Sequence, residues 1–284
     1  MNIRKKLAVI GCPVGHSLSP SMHNAAISYL NLDLDYSAVN VAENELEGFL
    51  KHAHEEYCGF NVTVPHKKAI VSLLDKVTEK ALFANSVNTV VVNDDNSLYG
   101  DSTDGYGLEM ALNELFGVVA TDQAFLFVGC GGAAQAAAVS LLFNGAKEIY
   151  FVNRTIEKAE LFIKKLKCRF PKSRFDACSP ENIEKFNLFL DKNPVVIQST
   201  SLGLNDKDPC PVNFDFFRKE LIYFDMIYNK KTLFLSNAEK KSCRNADGRL
   251  MLLYQGAKAF SLWTHKNAPL AIMREALFAS MNRI

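Results

Sequence analysis

The sequence has almost no net charge: 32 basic residues stand against 31 acidic ones, which leaves +1 at neutral pH. No long-range field draws such a chain to nucleic acid or to an anionic membrane, so a small molecule is the expected partner. Long apolar runs are also missing. Arg4-Lys5-Lys6 leads into an apolar stretch that reaches only Ile10 before Gly11 and Pro13 interrupt it, too short for a signal-peptide core or a membrane span. The seven cysteines are scattered, with no C-x-x-C pair, so neither a disulfide framework nor a zinc site is expected. A reduced, cytoplasmic, metal-free enzyme is the resulting expectation. Internal repeats beyond β/α alternation and low-complexity segments are absent as well. At 284 residues the chain exceeds most single cores, and two domains are expected.

What is present centres on Phe125 to Gln135, FLFVGCGGAAQ. Phe125 to Val128 are apolar without alternation, as in a parallel strand covered on both faces. Gly129 permits a tight turn, Gly131 lets a pyrophosphate approach the backbone, and Ala134 takes the small-residue place of G-x-G-x-x-G/A. A helix-forming run follows from Ala133, so that free N–H groups of the turn, Gly132 and Ala133 included, would face phosphates. The bare pattern also fits a glycine turn that binds nothing. The next strand, Glu148 to Val152, ends in Asn153-Arg154-Thr155, roughly twenty residues on, where an NAD site would place an acid to hold a ribose hydroxyl. No acid stands there. Arg154, helped by Lys158 one helical turn later, would instead meet a 2′-phosphate, which favours NADP; alone, either is also what a solvated helix start looks like. Cys130 is the one thiol whose modification is expected to interfere with binding.

Taken in order, the chain alternates β and α units, which builds a mostly parallel sheet with sites at the carboxyl ends of its strands. Leu7 to Ile10 reads as a strand, and a helix follows with Ser19 as N-cap, Pro20 at its first position and Met22, Ala25, Ala26, Tyr29 and Leu30 as its apolar stripe. Then come a strand over 35–41, a helix over 44–54 and a strand over 59–64, after which a helix begins with His66-Lys67-Lys68. Asn85 to Val92 and Leu98 to Asp101 form a hairpin. Asp104, taken alone, is the cap of a helix running to Phe116. Further strands are expected over 194–198 and 221–226, a turn at Asn245-Ala246-Asp247-Gly248, and helices over 249–263 and 270–281.

Together Gly11-x-Pro13-x-x-His16-Ser17-x-Ser19-Pro20-x-x-His23-Asn24, Asn61-Val62-Thr63-Val64-Pro65-x-Lys67, Val87-Asn88-Thr89, Gly100-Asp101-x-Thr103-Asp104-Gly105, the glycine turn with Asn153-Arg154-Thr155, and Gln255-Gly256-Ala257 resemble the shikimate dehydrogenase family, over nearly the whole chain. The resemblance implies a two-domain α/β enzyme. Residues 1–104 would be the substrate-binding and catalytic domain, 105–247 a Rossmann-type NADP-binding domain, and 248–284 helices returning to the first.

The activity it implies is hydride transfer from NADPH to the ring carbonyl of 3-dehydroshikimate, with a proton delivered to the new oxygen to give shikimate. Lys67 and Asp104 fall at the family's catalytic positions, with Lys67 as proton donor, made more labile by burial, and Asp104 orienting it. Ser17 and Ser19 match the carboxylate-binding serines. Thr63, Asn88, Gln255 and Tyr228 match further substrate contacts; Met226 and Gly248 fall where the family holds the nicotinamide. Read without the resemblance, Lys67 is an exposed lysine, Thr63 a strand-pairing residue, Asn88 a turn former, Gln255 a surface helix position and Met226 ordinary core. His66 stands where relatives commonly carry an aromatic or apolar residue and is expected to point to solvent. Gln198-Ser199-Thr200-Ser201 replaces the more familiar Asn-Ala-Thr-Ser. A quinate/shikimate dehydrogenase with NAD or mixed cofactor use, or a catalytically silent NADP(H) sensor, would share much of this pattern, and a monomer and a homodimer are both compatible with it.

Overall fold

The computed structural model describes residues 6–281. The chain divides into two compact units, one made of the residues up to Gly107 and from Leu252 onward, the other of Leu108–Met251. The expected terminal domains also include residues 1–5 and 282–284, which lie outside the described residues. The first unit contains β1 (Lys6–Gly11), α1 (Ser19–Tyr29), β2 (Asp35–Asn40), α2 (Leu46–Glu56), β3 (Tyr57–Val62), α3 (His66–Ala69), β4 (Lys76–Val77), α4 (Glu79–Ala84), β5 (Thr89–Val92) and β6 (Leu98–Asp101), and α5 (Asp104–Phe116) begins in it. The second runs through β7 (Ala124–Val128), α6 (Gly132–Phe143), β8 (Glu148–Val152), α7 (Ile156–Arg169), β9 (Arg174–Cys178), α8 (Ile183–Leu190), β10 (Val195–Gln198), β11 (Ile222–Asp225), α9 (Leu233–Lys240) and β12 (Arg244–Ala246). The chain then returns through α10 (Arg249–Thr264) and α11 (Leu270–Met281).

The first sheet has the order β2-β1-β3-β5-β6-β4. Its β1 pairs in parallel with β2 and β3, whereas β5 runs antiparallel to β3 and β6. Ala8, Ile10, Phe60, Val62 and Val90 lie in one buried cluster of this unit. The returning helices join it: α11 packs on α1, and Trp263 on α10 donates its indole N–H to the Val90 carbonyl at 2.8 Å. Burying that indole is worth several kcal/mol, since truncating a core Trp typically costs about 3–5 kcal/mol. The second sheet, β12-β11-β10-β7-β8-β9, is parallel throughout. Its central strand β7 is buried from Phe125 to Val128, which explains the unbroken apolar run.

Both sheets reverse their winding once. In the first unit β2 lies on one side of β1 and β3 on the other; in the second, β8 and β9 lie on one side of β7 and β10 on the other. Loops leaving the carboxyl ends of two strands that diverge in this way leave a crevice between them, where ligands of open α/β sheets bind.

Several local expectations are corrected. The N-cap position of α1 is Leu18, without a side-chain cap; Ser19 lies one residue inside and is buried, its hydroxyl engaged by Tyr36. Tyr29 is 60 % exposed, and His23 and Ile27 take its share of the apolar face. The expected turn at 245–248 begins as β12, paired in parallel with β11. His66 does not point to solvent: it is 1 % exposed. The elements β4, α4, β9, α8 and α9 stand where the sequence reading places none. Among the described residues no helix is long and apolar enough to cross a membrane, and no cluster of three or more His, Cys, Asp or Glu side chains is placed to hold a metal ion.

Candidate active site and cofactor pocket

Lys67 sits in the first turn of α3, just past the carboxyl end of β3, and its Nζ lies 2.7 Å from Asp104 Oδ2. Both side chains are screened from water, at 30 % and 10 % exposure, so their attraction exceeds that of a surface pair. The other carboxylate oxygen, Oδ1, accepts from Asn88 Nδ2 at 2.8 Å. The Thr103 backbone N–H donates to Asn88 Oδ1 at 2.7 Å; a backbone donor there fixes which end of the amide faces Asp104. Gln255 Oε1 is 3.3 Å from the same Asn88 nitrogen, so α10 carries Gln255 back into the constellation from far along the chain. Burial of Gln255 excludes the surface-helix alternative.

Behind this pair the polar groups continue inward. The register of the first sheet sets Asn61 on β3 opposite Thr89 on β5, and Asn61 Nδ2 donates to the Asn88 carbonyl at 3.0 Å and to Thr89 Oγ1 at 3.2 Å. Its Oδ1 accepts from the Tyr36 hydroxyl at 2.7 Å. Burial pushes the Tyr36 phenol well above its ordinary pKa, opposed by its hydrogen bond with Ser19. Ser19 N–H in turn donates to Ser17 Oγ at 3.3 Å. Lys67, Asp104, Asn88, Gln255, Ser19 and Ser17 are therefore linked within one unit. Thr63 is held by its backbone, donating to Ile10 at 2.9 Å, and its side chain is half-buried. Asn61, Thr89, Thr103 and Tyr36 were not singled out from sequence as site residues; polar side chains inside otherwise apolar strands were the signal available at Asn61 and Thr89.

In the second unit the glycine turn opens onto a pocket of about 380 Å³ lined by Gly129, Gly131, Asn153, Arg154, Thr155 and Lys158, and on its far side by Ser199, Thr200 and Ser201. These are the loops after β7, β8 and β10. Gly129 has φ +105°, and a Cβ there would meet Thr200 Cγ2 at 2.9 Å, so glycine is required twice over. Cys130 N–H donates to Asn153 Oδ1 at 3.0 Å, and Asn153 Nδ2 donates to the Thr155 carbonyl at 2.7 Å, which ties the glycine turn to the start of α7. Gln198 points inward instead of lining the pocket: its amide accepts from Thr200 N–H and donates to the Leu202 carbonyl, shaping the loop that does. The Cys130 thiol is buried and pushed up to about 11 by that burial.

The remaining expected cofactor residues fall elsewhere in this unit. Gly132 and Ala133 are exposed at the start of α6. Met226 and Gly248 are adjacent, because a Cβ on Gly248 would lie 2.4 Å from the Met226 carbonyl oxygen. The segment from Asp225 to Tyr228 is pinned by Asp225, whose two oxygens accept from Ile227 N–H at 2.9 Å and Thr232 Oγ1 at 2.6 Å. Burial pushes this carboxyl up to about 6, against the pull of those two hydrogen bonds. Tyr228, expected as a substrate contact and not a cofactor residue, also lies in this unit and is half-buried.

A dinucleotide fits the pocket in the second unit. At Gly131 and Gly132 nothing stands within 4 Å of where a Cβ would be, so there is open space beside the start of α6 for a pyrophosphate to approach the backbone. Arg154 and Lys158 are the cations on the same rim.

Known proteins resemble this chain over nearly its whole length. Family models described as the shikimate dehydrogenase substrate binding domain, shikimate / quinate 5-dehydrogenase and the shikimate 5′-dehydrogenase C-terminal domain match residues 9–90, 111–203 and 248–278. The shikimate dehydrogenase (NADP(+)) of Methanococcus aeolicus is 36 % identical over 96 % of this chain and 96 % of its own. The crystal structure of shikimate 5-dehydrogenase from Listeria monocytogenes in complex with shikimate and NAD superposes with a TM-score of 0.90 at 34 % identity, covering 98 % of both chains. The Thermus thermophilus shikimate 5-dehydrogenase in complex with NADP(H) and shikimate gives 0.84 at 31 % identity, covering 97 % of this chain and 99 % of that one. With full-length identity above thirty per cent joined to the same fold, the chain belongs to the shikimate dehydrogenase family.

Proposed function

We propose that the chain is an NADP-dependent shikimate dehydrogenase that reversibly reduces 3-dehydroshikimate to shikimate, within the pathway toward aromatic compounds. One observation carries the reading: an ammonium and a carboxylate 2.7 Å apart, the carboxylate held at its second oxygen by Asn88. NADPH, when bound, supplies the hydride that reaches the ring carbonyl carbon. Lys67 gives a proton from Nζ to the oxygen of that carbonyl and regains one from solvent; in the oxidative direction it takes the proton back. Asp104 keeps the ammonium directed and accepts from a ring hydroxyl. Ser17 and Ser19 hold the substrate carboxylate, while Thr63, Asn88, Gln255 and Tyr228 receive its hydroxyls.

Gly129, Gly131, Gly132 and Ala133 cradle the pyrophosphate, Asn153, Arg154, Thr155 and Lys158 hold the 2′-phosphate end, and Met226 with Gly248 supports the nicotinamide. The unit that begins and ends the chain is the substrate-binding and catalytic domain, and the unit between is the NADP domain. Seven free thiols suit a reducing compartment such as the cytoplasm, where the enzyme works as a monomer or a homodimer.

Steady-state rates with shikimate and quinate, each with NADP and NAD, test the reading. Shikimate with NADP should be preferred; a clear preference for quinate with NAD identifies a quinate dehydrogenase, and no turnover with any pair identifies a sensor. Lys67→Ala should lower turnover by about 10²- to 10⁴-fold, the usual worth of a positioned proton donor, while leaving NADP affinity unchanged. Equal losses in both would make the lysine structural.

A further inference from the structure

His66 immediately precedes Lys67 and is buried, at 1 % exposure. Its Nε2 lies 2.7 Å from the Val41 carbonyl oxygen. A carbonyl has no hydrogen to give, so Nε2 carries the proton and donates. Val41 is itself fixed, its N–H donating at 3.1 Å to the carbonyl of Gly11 at the end of β1. On the other side, the Lys67 carbonyl accepts from Val87 N–H at 2.8 Å, next to Asn88, which holds Asp104. The lysine backbone is thus tied in two directions: through the side chain of 66 to the connection after β2, and through its own carbonyl to the segment bearing Asn88.

These ties matter because α3 has only four residues before it passes into a single 3-10 stretch over Ile70–Leu73. A helix that short has no rigidity of its own, since isolated helices below about 12 residues are marginal. The lysine side chain adds a flexible four-carbon stem, so Nζ meets Asp104 in one geometry only if the Cα from which the stem starts is itself held in place. An apolar ring would fill the same space without the desolvation that an imidazole incurs. What histidine adds is the hydrogen bond.

We propose that His66 is a positioning residue for Lys67: by donating Nε2–H to the Val41 carbonyl it aims the short helix from which the ammonium reaches Asp104. The inference rests on the reading of Lys67 as the proton donor.

Three variants test it. His66→Phe keeps a ring and removes the donor, His66→Leu does the same with an aliphatic group, and His66→Gln restores an N–H at a similar reach. His66→Phe and His66→Leu should lower kcat for shikimate oxidation by about 10- to 100-fold, the scale of a misplacement near 1 Å, with KM for shikimate and Kd for NADP little changed. His66→Gln should recover most of the loss. Thermal unfolding of each variant shows which of them are folded under assay conditions; if the phenylalanine variant is not, the leucine and glutamine variants carry the comparison. Wild-type kcat in the folded apolar variants, equal loss in His66→Gln, or failure of all three to fold would each overturn the proposal and leave His66 a packing residue. Lys67→Ala measured alongside separates the premises: an unaffected kcat there would sink the role of the lysine, whatever the His66 variants do.

Discussion

His23→Phe should make the first unit much less sensitive to acid. His23 is fully buried, its ring stacked on Tyr36 at 4.3 Å and lying 5.4 Å from Trp263, and neither ring nitrogen has a hydrogen-bond partner. Burial alone pushes its pKa down from 6.5 to about 3. The unfolded chain therefore binds a proton that the folded one refuses. The stability contributed by the neutral ring is complete above 6.5, falls as pH drops toward 3, and is constant below. Each pH unit within that window costs about 1.36 kcal/mol. Going from about pH 7.5 to about pH 4.5, two of those units are crossed, so wild type should lose about 2.7 kcal/mol through this residue alone. Against a typical total of about 5–15 kcal/mol that is a large share. The chain's single Trp is Trp263, in contact with His23, so its fluorescence in urea reports on this unit. The quantity to compare is the change in unfolding free energy between the two pH values, which cancels any packing difference of the phenylalanine. Wild type should lose about 2–3 kcal/mol more than His23→Phe; equal losses would show that the histidine is protonated in the folded protein and would refute the reasoning.

In the second unit, Arg154→Ala should weaken NADP about 10- to 100-fold, the worth of a charge-assisted contact to the 2′-phosphate, and leave NAD affinity unchanged by the same titration. Gly129→Ala forces a left-handed backbone on a side chain that meets Thr200; it should destabilise the protein by about 1–3 kcal/mol in denaturant melts and weaken dinucleotide binding with it. Cys130, buried with its thiol near 11, should resist alkylation near neutral pH where exposed Cys12 reacts, as peptide mapping by mass spectrometry would show. Modification of Cys130 at a rate matching Cys12 would mean that the glycine turn opens.

The strands that announced themselves in the sequence are those whose burial leaves no ambiguity. β7 is an unbroken apolar run ended by glycine, and β8 is apolar from Ile149 to Val152 before Asn153. β9, by contrast, alternates as Arg174-Phe175-Asp176-Ala177-Cys178 at the edge of its sheet, with its charges exposed; although Pro171 and Pro180 bracket it, five residues with only two or three apolar ones among them give a weak strand signal. In the site, the glycine turn stood out by its own spacing, while Lys67 and Asp104 were legible only through the family resemblance, and the groups behind them were not. Thr89 becomes visible as a site residue only once the hairpin register sets it between Asn61 and Asp101. His66 escaped because four helical residues carry no periodicity from which to tell an inner face from an outer one. Ser19 was misjudged for a related reason: an N-cap and the residue after it share the same chemistry and differ only in backbone angles.

The constellation around Asn88 also decides which groups remain free to receive a ligand. Asn88 Nδ2 carries two hydrogens yet faces three acceptors, Asp104 Oδ1 at 2.8 Å, Thr103 Oγ1 at 3.0 Å and Gln255 Oε1 at 3.3 Å. The charged oxygen takes one hydrogen, because a charge-assisted bond is the strongest on offer. The second goes to the nearer Thr103 and only marginally to Gln255. Thr89 Oγ1 lies 3.1 Å from Asn88 Oδ1 and donates to it, and Thr103 Oγ1 is nearer to that oxygen, at 3.2 Å, than to Gln255 Oε1, at 3.5 Å. Gln255 Nε2 is already committed to the Leu252 carbonyl at 2.9 Å. The Gln255 carbonyl oxygen is therefore the least satisfied acceptor of the network. Beside an already directed carboxylate, that is the chemistry needed to accept a ligand hydroxyl without disturbing the hold on Asp104.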